Sequence, residues 1–208
     1  MNTKIKLLKA ALFLVVATSS FGVWSQTSQT ITQDVCPGTE PYLVTPGNAA
    51  NTFLWSITTG ATGVDWTIST PNSASTNIVW ANPLIPVIYH LLLTETNSDG
   101  CDRVVSMDVT VNPKPAAPTA TLIQPSCSVS TGSIEFTSPA VGAGITYTIT
   151  GTNPVQAAVI NSTGLFTGLI SGDYDIITSN TYGCSSVIVS VSIDPQPSNP
   201  VTSAIWHN

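Results

Sequence analysis

Apolar residues in this chain recur in short runs at every second position, and turn residues set the runs apart. That is the spacing of half-buried strands rather than of a helix face. The alternation is plainest over 104–111, where Val105, Met107, Val109 and Val111 share one face. Strands are predicted at 41–44, 52–57, 65–69, 76–80, 87–95 and 104–111, and again at 133–136, 146–150, 155–160, 164–169, 172–179 and 186–193. Between them, Thr59-Gly60-Ala61-Thr62-Gly63 and Asn97-Ser98-Asp99-Gly100 supply residues that tolerate positive φ. No segment has helical periodicity.

The two sets of runs are parted by Asn112-Pro113-Lys114-Pro115-Ala116-Ala117-Pro118, where three prolines in seven residues deny ladder donors and favour an extended spacer. The expected organisation is a domain over 28–112, a linker over 113–118, a second domain over 119–195 and a proline-rich tail over 196–208. Each domain has the size of a small β-sandwich.

Composition narrows this to an all-β protein. Hydrophobic residues make up 42% of the 208, enough for a core, while charged residues make up only 8%, against roughly 25% in an average soluble protein. Long solvated helices need charged faces. Here 24 Ser and 30 Thr supply the polar positions instead, which suits the wet side of a sheet. A formal charge of −6 argues against nucleic acid, which calls for clustered Lys and Arg.

Residues 1–25 carry Lys4, Lys6 and Lys9, then an apolar run from Ala10 to Ala17, then small polar residues, the pattern of a secretory signal peptide cleaved near Ser25. The run is shorter than the ~20 residues that cross a bilayer, so no transmembrane segment is expected in the mature chain. Cleavage leaves Arg103 and Lys114 against the same 11 acids, a net charge of −9. The expected location is the periplasm, the outer membrane or the cell surface.

Cys36, Cys101, Cys127 and Cys184 all lie in the mature part, and an even number in an exported chain reads as two disulfides. Three pairings are possible. Two cysteines per domain favour Cys36 with Cys101 and Cys127 with Cys184, each pair tying the start of a sandwich to a late strand. A zinc site would need closer cysteine spacing than any found here.

The residues VCPG, FLWSI, NIVWANP, TETNSDGC and VTVNPKP together resemble the PKD-like immunoglobulin-fold modules of Bacteroidetes surface proteins. The second half reads PSCSVSTGSIEF, ITYTITG, GLFTGLISGDYDI and NTYGCSSVIVSVSI, and resembles the SprB-type repeat of gliding and type IX secretion adhesins. The resemblance implies two tandem immunoglobulin-like β-sandwich domains after a signal peptide. Neither module carries a catalytic motif. The implied function is a non-enzymatic accessory, adhesin or assembly subunit of such a surface system, without a cofactor. Cargo of this system normally carries a folded sorting domain after its last module, whereas 13 residues follow Pro195, so independent secretion by that route is not expected.

Candidate chemistry is sparse. The order Cys36, Trp55, Cys101 is similar to the buried Trp of an immunoglobulin domain, and Trp55 is taken as core. Trp66 and Trp80, if exposed, could stack on sugar rings, which gives a carbohydrate-binding module pair as the alternative function. The 11 carboxylates form no recognisable hydrolase pair. Asp99 with Asp102, and Asp173 with Asp175, are too few oxygens for calcium. No Gly-x-Ser-x-Gly elbow supports a nucleophile. Finally, Ile205, Trp206, His207 and Asn208 follow a proline-rich leader, and large apolar residues there suggest a docking peptide. The expected partner is an envelope protein, either a PorP/SprF-like outer-membrane β-barrel or a surface adhesin.

Overall fold

The computed structural model describes residues 31–142 and 144–201, and every regular element among them is a β-strand. The leader expected over 1–25 lies outside the described residues. In the first half the strands are β1 (Ile31–Val35), β2 (Gly38–Leu43), β3 (Thr52–Ile57), β4 (Trp66–Ile68), β5 (Ser75–Trp80), β6 (Val87–Thr96) and β7 (Asp102–Val111). They form one sheet in the order β1-β7-β6-β3 and a second in the order β2-β5-β4. Two sheets of this strand order are those of an immunoglobulin-like sandwich, with β1 added in parallel to the last strand.

The second half contains β8 (Thr119–Ile123), β9 (Gly132–Ser138), β10 (Thr146–Asn153), β11 (Val159–Asn161), β12 (Leu165–Leu169), β13 (Gly172–Ser179) and β14 (Val189–Ile193). Its sheets run β12-β9-β8 and β11-β10-β13-β14. This is again an immunoglobulin-like sandwich. Tyr174, near the start of β13, donates its hydroxyl to Ile170 O at 2.8 Å, the corner bond found at this position in such folds.

Each sandwich has a core of its own. In the first, Tyr42, Trp55, Ile78, Trp80, Tyr89, Leu91, Val109 and Val111 are buried together, with Trp80 and Tyr89 ring centroids 5.1 Å apart. In the second, Ile134, Phe136, Tyr147, Ile149, Phe166, Tyr174 and Ile176 pack around a Phe136–Tyr147 contact of 4.8 Å. Buried polar tips find partners: Trp55 Nε1 donates to Ser73 O at 2.7 Å and Tyr147 donates to Pro139 O at 2.8 Å. Alternation in β7 runs out at one end, for Val109 and Val111 are fully buried while Val105 is exposed. The strand extends past the core there.

The buried tyrosines give the fold an alkaline limit. Loss of solvent pushes the Tyr42 phenol up to about 12, with Glu40 adding repulsion and the Trp80 indole donor opposing it. Burial raises Tyr89 and Tyr147 in the same direction. A phenol held protonated in the fold but ionising near 10 in the unfolded chain contributes stability that is fully present below pH ~10. That contribution is lost as pH rises through the folded value. Phenolate absorbance at 295 nm from Tyr42, Tyr89 and Tyr147 is therefore expected to rise together with loss of the fold, above the ordinary range at about pH 10.

Candidate functional site

The two sandwiches are joined by a disulfide. Cys36, between β1 and β2, is bonded to Cys184, in the hairpin between β13 and β14, with Cα atoms 5.5 Å apart. Cys101 and Cys127 are exposed free thiols. The expected pairs, Cys36–Cys101 and Cys127–Cys184, are thus both corrected.

Strand direction explains why. β1 runs parallel to β7 and pairs Val35 with Val111, so Cys36 emerges beside the end of β7. Cys101 immediately precedes the start of β7. The ten residues of β7 hold the two cysteines about 30 Å apart at roughly 3.3 Å per residue, against a reach of under about 7 Å between Cα atoms for a disulfide. The second sandwich separates its cysteines similarly. Gln196 Nε2 donates to Cys127 O at 3.1 Å, which puts Cys127 beyond the end of β14, while Cys184 precedes its start.

The hairpin holding Cys184 is shaped by Asn180. Its Oδ1 accepts from Tyr182 N and Cys184 N, both at 3.1 Å, and Gly183 takes the positive φ of 79° that closes the turn. The same side chain reaches across: Asn180 Nδ2 donates to Pro113 O at 2.7 Å. Cys184, fully buried, lies 3.7 Å from Asn112 O. Asn112 N in turn donates to Val35 O, and Lys114 N to Asn82 Oδ1. The segment expected to be an extended spacer is therefore pinned to both sandwiches.

Other residues singled out in the sequence fall elsewhere. Trp55 is buried in the core, packed on Tyr42. Trp80 is only 2% exposed and donates its indole N–H to Tyr42 Oη, so it cannot stack on a sugar. Trp66 is half-buried with its N–H donated to Thr59 O. His90 Nδ1 faces Asp108 Oδ1 at 2.6 Å across β6 and β7, a cross-strand pair on the wet face. Asp102, Asp173 and Asp175 each accept from a neighbouring hydroxyl, of Thr96, Ser192 and Ser190. Among the described residues no cluster of His, Cys, Asp or Glu could hold a metal ion. Ile205, Trp206, His207 and Asn208 lie outside the described residues.

Asn180, Asn112 and Pro113, which make the junction, were not singled out from the sequence. The signal was present: Asn-x-x-Gly-Cys occurs at 97–101 and again at 180–184.

No protein-family model and no curated protein matches the chain. Solved structures similar to it include the fibronectin(III)-like modules of Clostridium thermocellum CbhA, with 13% identity, a TM-score of 0.38 and coverage of 87% of this chain and 98% of that one. Murine CEACAM1b covers 79% and 98%, with 14% identity and a TM-score of 0.35. The FN1-FN3 domains of chicken CNTN1 give 11% identity and a TM-score of 0.36 over 80% of this chain, which spans 64% of their length. Strand order in the two sandwiches, rather than any of these similarities, is what makes the chain an all-β protein of two immunoglobulin-like sandwiches.

Proposed function

We propose that the protein is an exported, non-enzymatic structural module of the cell envelope, an accessory, adhesin or assembly subunit in a Bacteroidetes-type gliding or type IX secretion surface system. The observation that carries this reading is the disulfide between sandwiches. A bond there suits an oxidising compartment, and it fixes one sandwich against the other, as a spacer or presenting arm requires. The likeness of the second half to SprB-type repeats supplies the surface system. The described residues contain no helix long and apolar enough to cross a membrane, and the proposal assigns attachment to a partner. Residues 205–208 are proposed to dock on it, with an outer-membrane β-barrel of the PorP/SprF kind as the first expectation and a surface adhesin as the second.

Two measurements on native cells test the reading. Thiol trapping of fractionated cells should recover the protein in the envelope with Cys36 and Cys184 oxidised. Affinity capture from solubilised membranes should bring down an envelope partner with the full chain and lose it on truncation after Val201. Recovery of fully reduced protein from the cytoplasm would overturn the proposal of export. Capture of the same partner by the truncated chain would overturn docking by the tail.

A further inference from the structure

The hairpin that locks the junction exists twice. At Asn180 to Cys184, Asn180 N donates to Cys184 O at 3.0 Å and Gly183 N to Asn180 O at 3.0 Å, while Asn180 Oδ1 accepts from Tyr182 N and Cys184 N. At Asn97 to Cys101 the same four bonds recur: Asn97 N to Cys101 O at 3.1 Å, Gly100 N to Asn97 O at 3.0 Å, and Asn97 Oδ1 from Asp99 N and Cys101 N at 3.0 and 2.8 Å. Gly100 has a φ of 78° and Gly183 one of 79°. Both hairpins join the last two long strands of their sandwich. One carries a cysteine in a disulfide, the other a free thiol.

The receiving side has a counterpart in sequence order, although β1 pairs in parallel with β7 whereas β8 pairs antiparallel with β9 and meets the end of β14 through Gln124, which donates to Ser192 O and accepts from Asp194 N. Cys36 lies between the first two strands of the first sandwich, and Cys127 between the first two of the second. Beside Cys36 the last strand ends in Val111-Asn112-Pro113-Lys114-Pro115-Ala116-Ala117-Pro118, whose Asn112 and Pro113 carbonyls meet the hairpin of the next sandwich. Beside Cys127 the last strand ends in Ile193-Asp194-Pro195-Gln196-Pro197-Ser198-Asn199-Pro200, with prolines at the same three places. An open depression of about 390 Å³ lies at that end, lined in part by Asp194 and Pro195. Among the described residues, neither the hairpin at one pole nor the counterpart of the receiver at the other is engaged in a junction.

We propose that Cys101 of one copy of this chain and Cys127 of another form a second junction of the kind seen between Cys36 and Cys184, linking copies head to tail. Asn97 Nδ2 takes the role of Asn180 Nδ2 and donates to Pro195 O of the neighbouring copy. The contact is heterologous, with different surfaces on the two sides, so it leaves a free pole at each end and propagates into linear chains. In the compartment assigned under the proposed function, a low-molecular-weight disulfide such as oxidised glutathione is the oxidant. The Cys127 thiolate attacks it, forming a mixed disulfide and releasing one thiol. The Cys101 thiolate of the second copy then attacks the Cys127 sulfur and expels the second thiol, so the two electrons leave in two molecules of reduced glutathione.

The test uses purified protein in vitro, with the Cys36–Cys184 bond intact, and so stands or falls independently of where the cell places the protein. Asp99 at the hairpin and Asp194 at the receiver carry the same sign, so coupling is run at about 0.5 M salt, where such repulsion is screened. With oxidised glutathione the wild type should give a ladder of oligomers on non-reducing gels. C101S and C127S, each with one exposed thiol, should each remain monomeric or dimerise slowly. Mixed in equal amounts they should give a dimer at least about tenfold faster than either alone, a ratio that reports docking free energy rather than thiol exposure. Peptide mapping should join Cys101 to Cys127, and Asn97→Ala in the C127S chain should slow the mixed reaction. Homodimers forming as fast as the mixed dimer, a Cys101–Cys127 bond within one chain, or no coupling at all would overturn the proposal.

Discussion

Breaking the Cys36–Cys184 bond is expected to uncouple the two sandwiches. Closing a loop of 148 residues corresponds to about 5 kcal/mol in the chain-entropy treatment, an upper figure that applies only if the whole chain unfolds as one unit. Each sandwich buries its own core, so the constraint acts largely on their relative orientation. The oxidised protein should therefore unfold in one calorimetric transition. The C36S/C184S double variant should unfold in two, and its small-angle scattering should show a broader distribution of distances. What would remain at the junction is the 2.7 Å bond from Asn180 to Pro113 and the packing of the linker, and a bond of this class has a net value of about 1 kcal/mol. A single transition and an unchanged scattering profile in the double variant would show that those contacts suffice without the disulfide.

Trp80→Ala is expected to have the largest effect of any single substitution on the first sandwich. Trp80 is almost fully buried, packs on Tyr42 at 6.5 Å and Tyr89 at 5.1 Å, and hydrogen-bonds to Tyr42 Oη. Truncating an indole in such a site costs about 3 to 5 kcal/mol through lost transfer energy and the cavity left behind. That is a large share of the ~5 to 15 kcal/mol that holds a typical native protein together. Urea titration followed by tryptophan emission reports mainly the first sandwich, because three of the five tryptophans, Trp55, Trp66 and Trp80, lie in it and none lies in the second. In the C36S/C184S background, where the sandwiches unfold separately, the midpoint should fall sharply there, while near-ultraviolet dichroism from Tyr147 and Tyr174 keeps a separate, little-changed transition. A loss under about 1 kcal/mol would mean that the aromatic cluster is not packed tightly enough to leave a cavity.

Most strands were legible in the residues because alternation is a local property: each period-two run meets the same pleated backbone whatever it pairs with. Thr52–Ile57 and Gly172–Ser179 emerged with their predicted bounds, and the others shifted by a few residues at their ends. Two strands escaped. β1, ITQDV, buries only Val35, and β8, TATLI, has no fully buried residue, so neither shows a strong apolar face. The all-β class followed from composition and pattern, and the core position of Trp55 from its likeness to the buried Trp of an immunoglobulin domain. Which cysteine meets which did not. Two cysteines per half left the pairing open, and it was decided by strand direction. β1 runs parallel to β7 and so carries Cys36 to the pole where the second sandwich begins, whereas Cys101 stays at the far end of a ten-residue strand. Burial of Trp80 was settled in the same way, since an alternating strand offers two faces and only the packing of one sheet on the other says which is wet. Sequence sets what a strand can do on either side of its pleat; the neighbour it lies against and the end at which it stops belong to the tertiary structure, and at this junction those two things fix the chemistry of all four thiols.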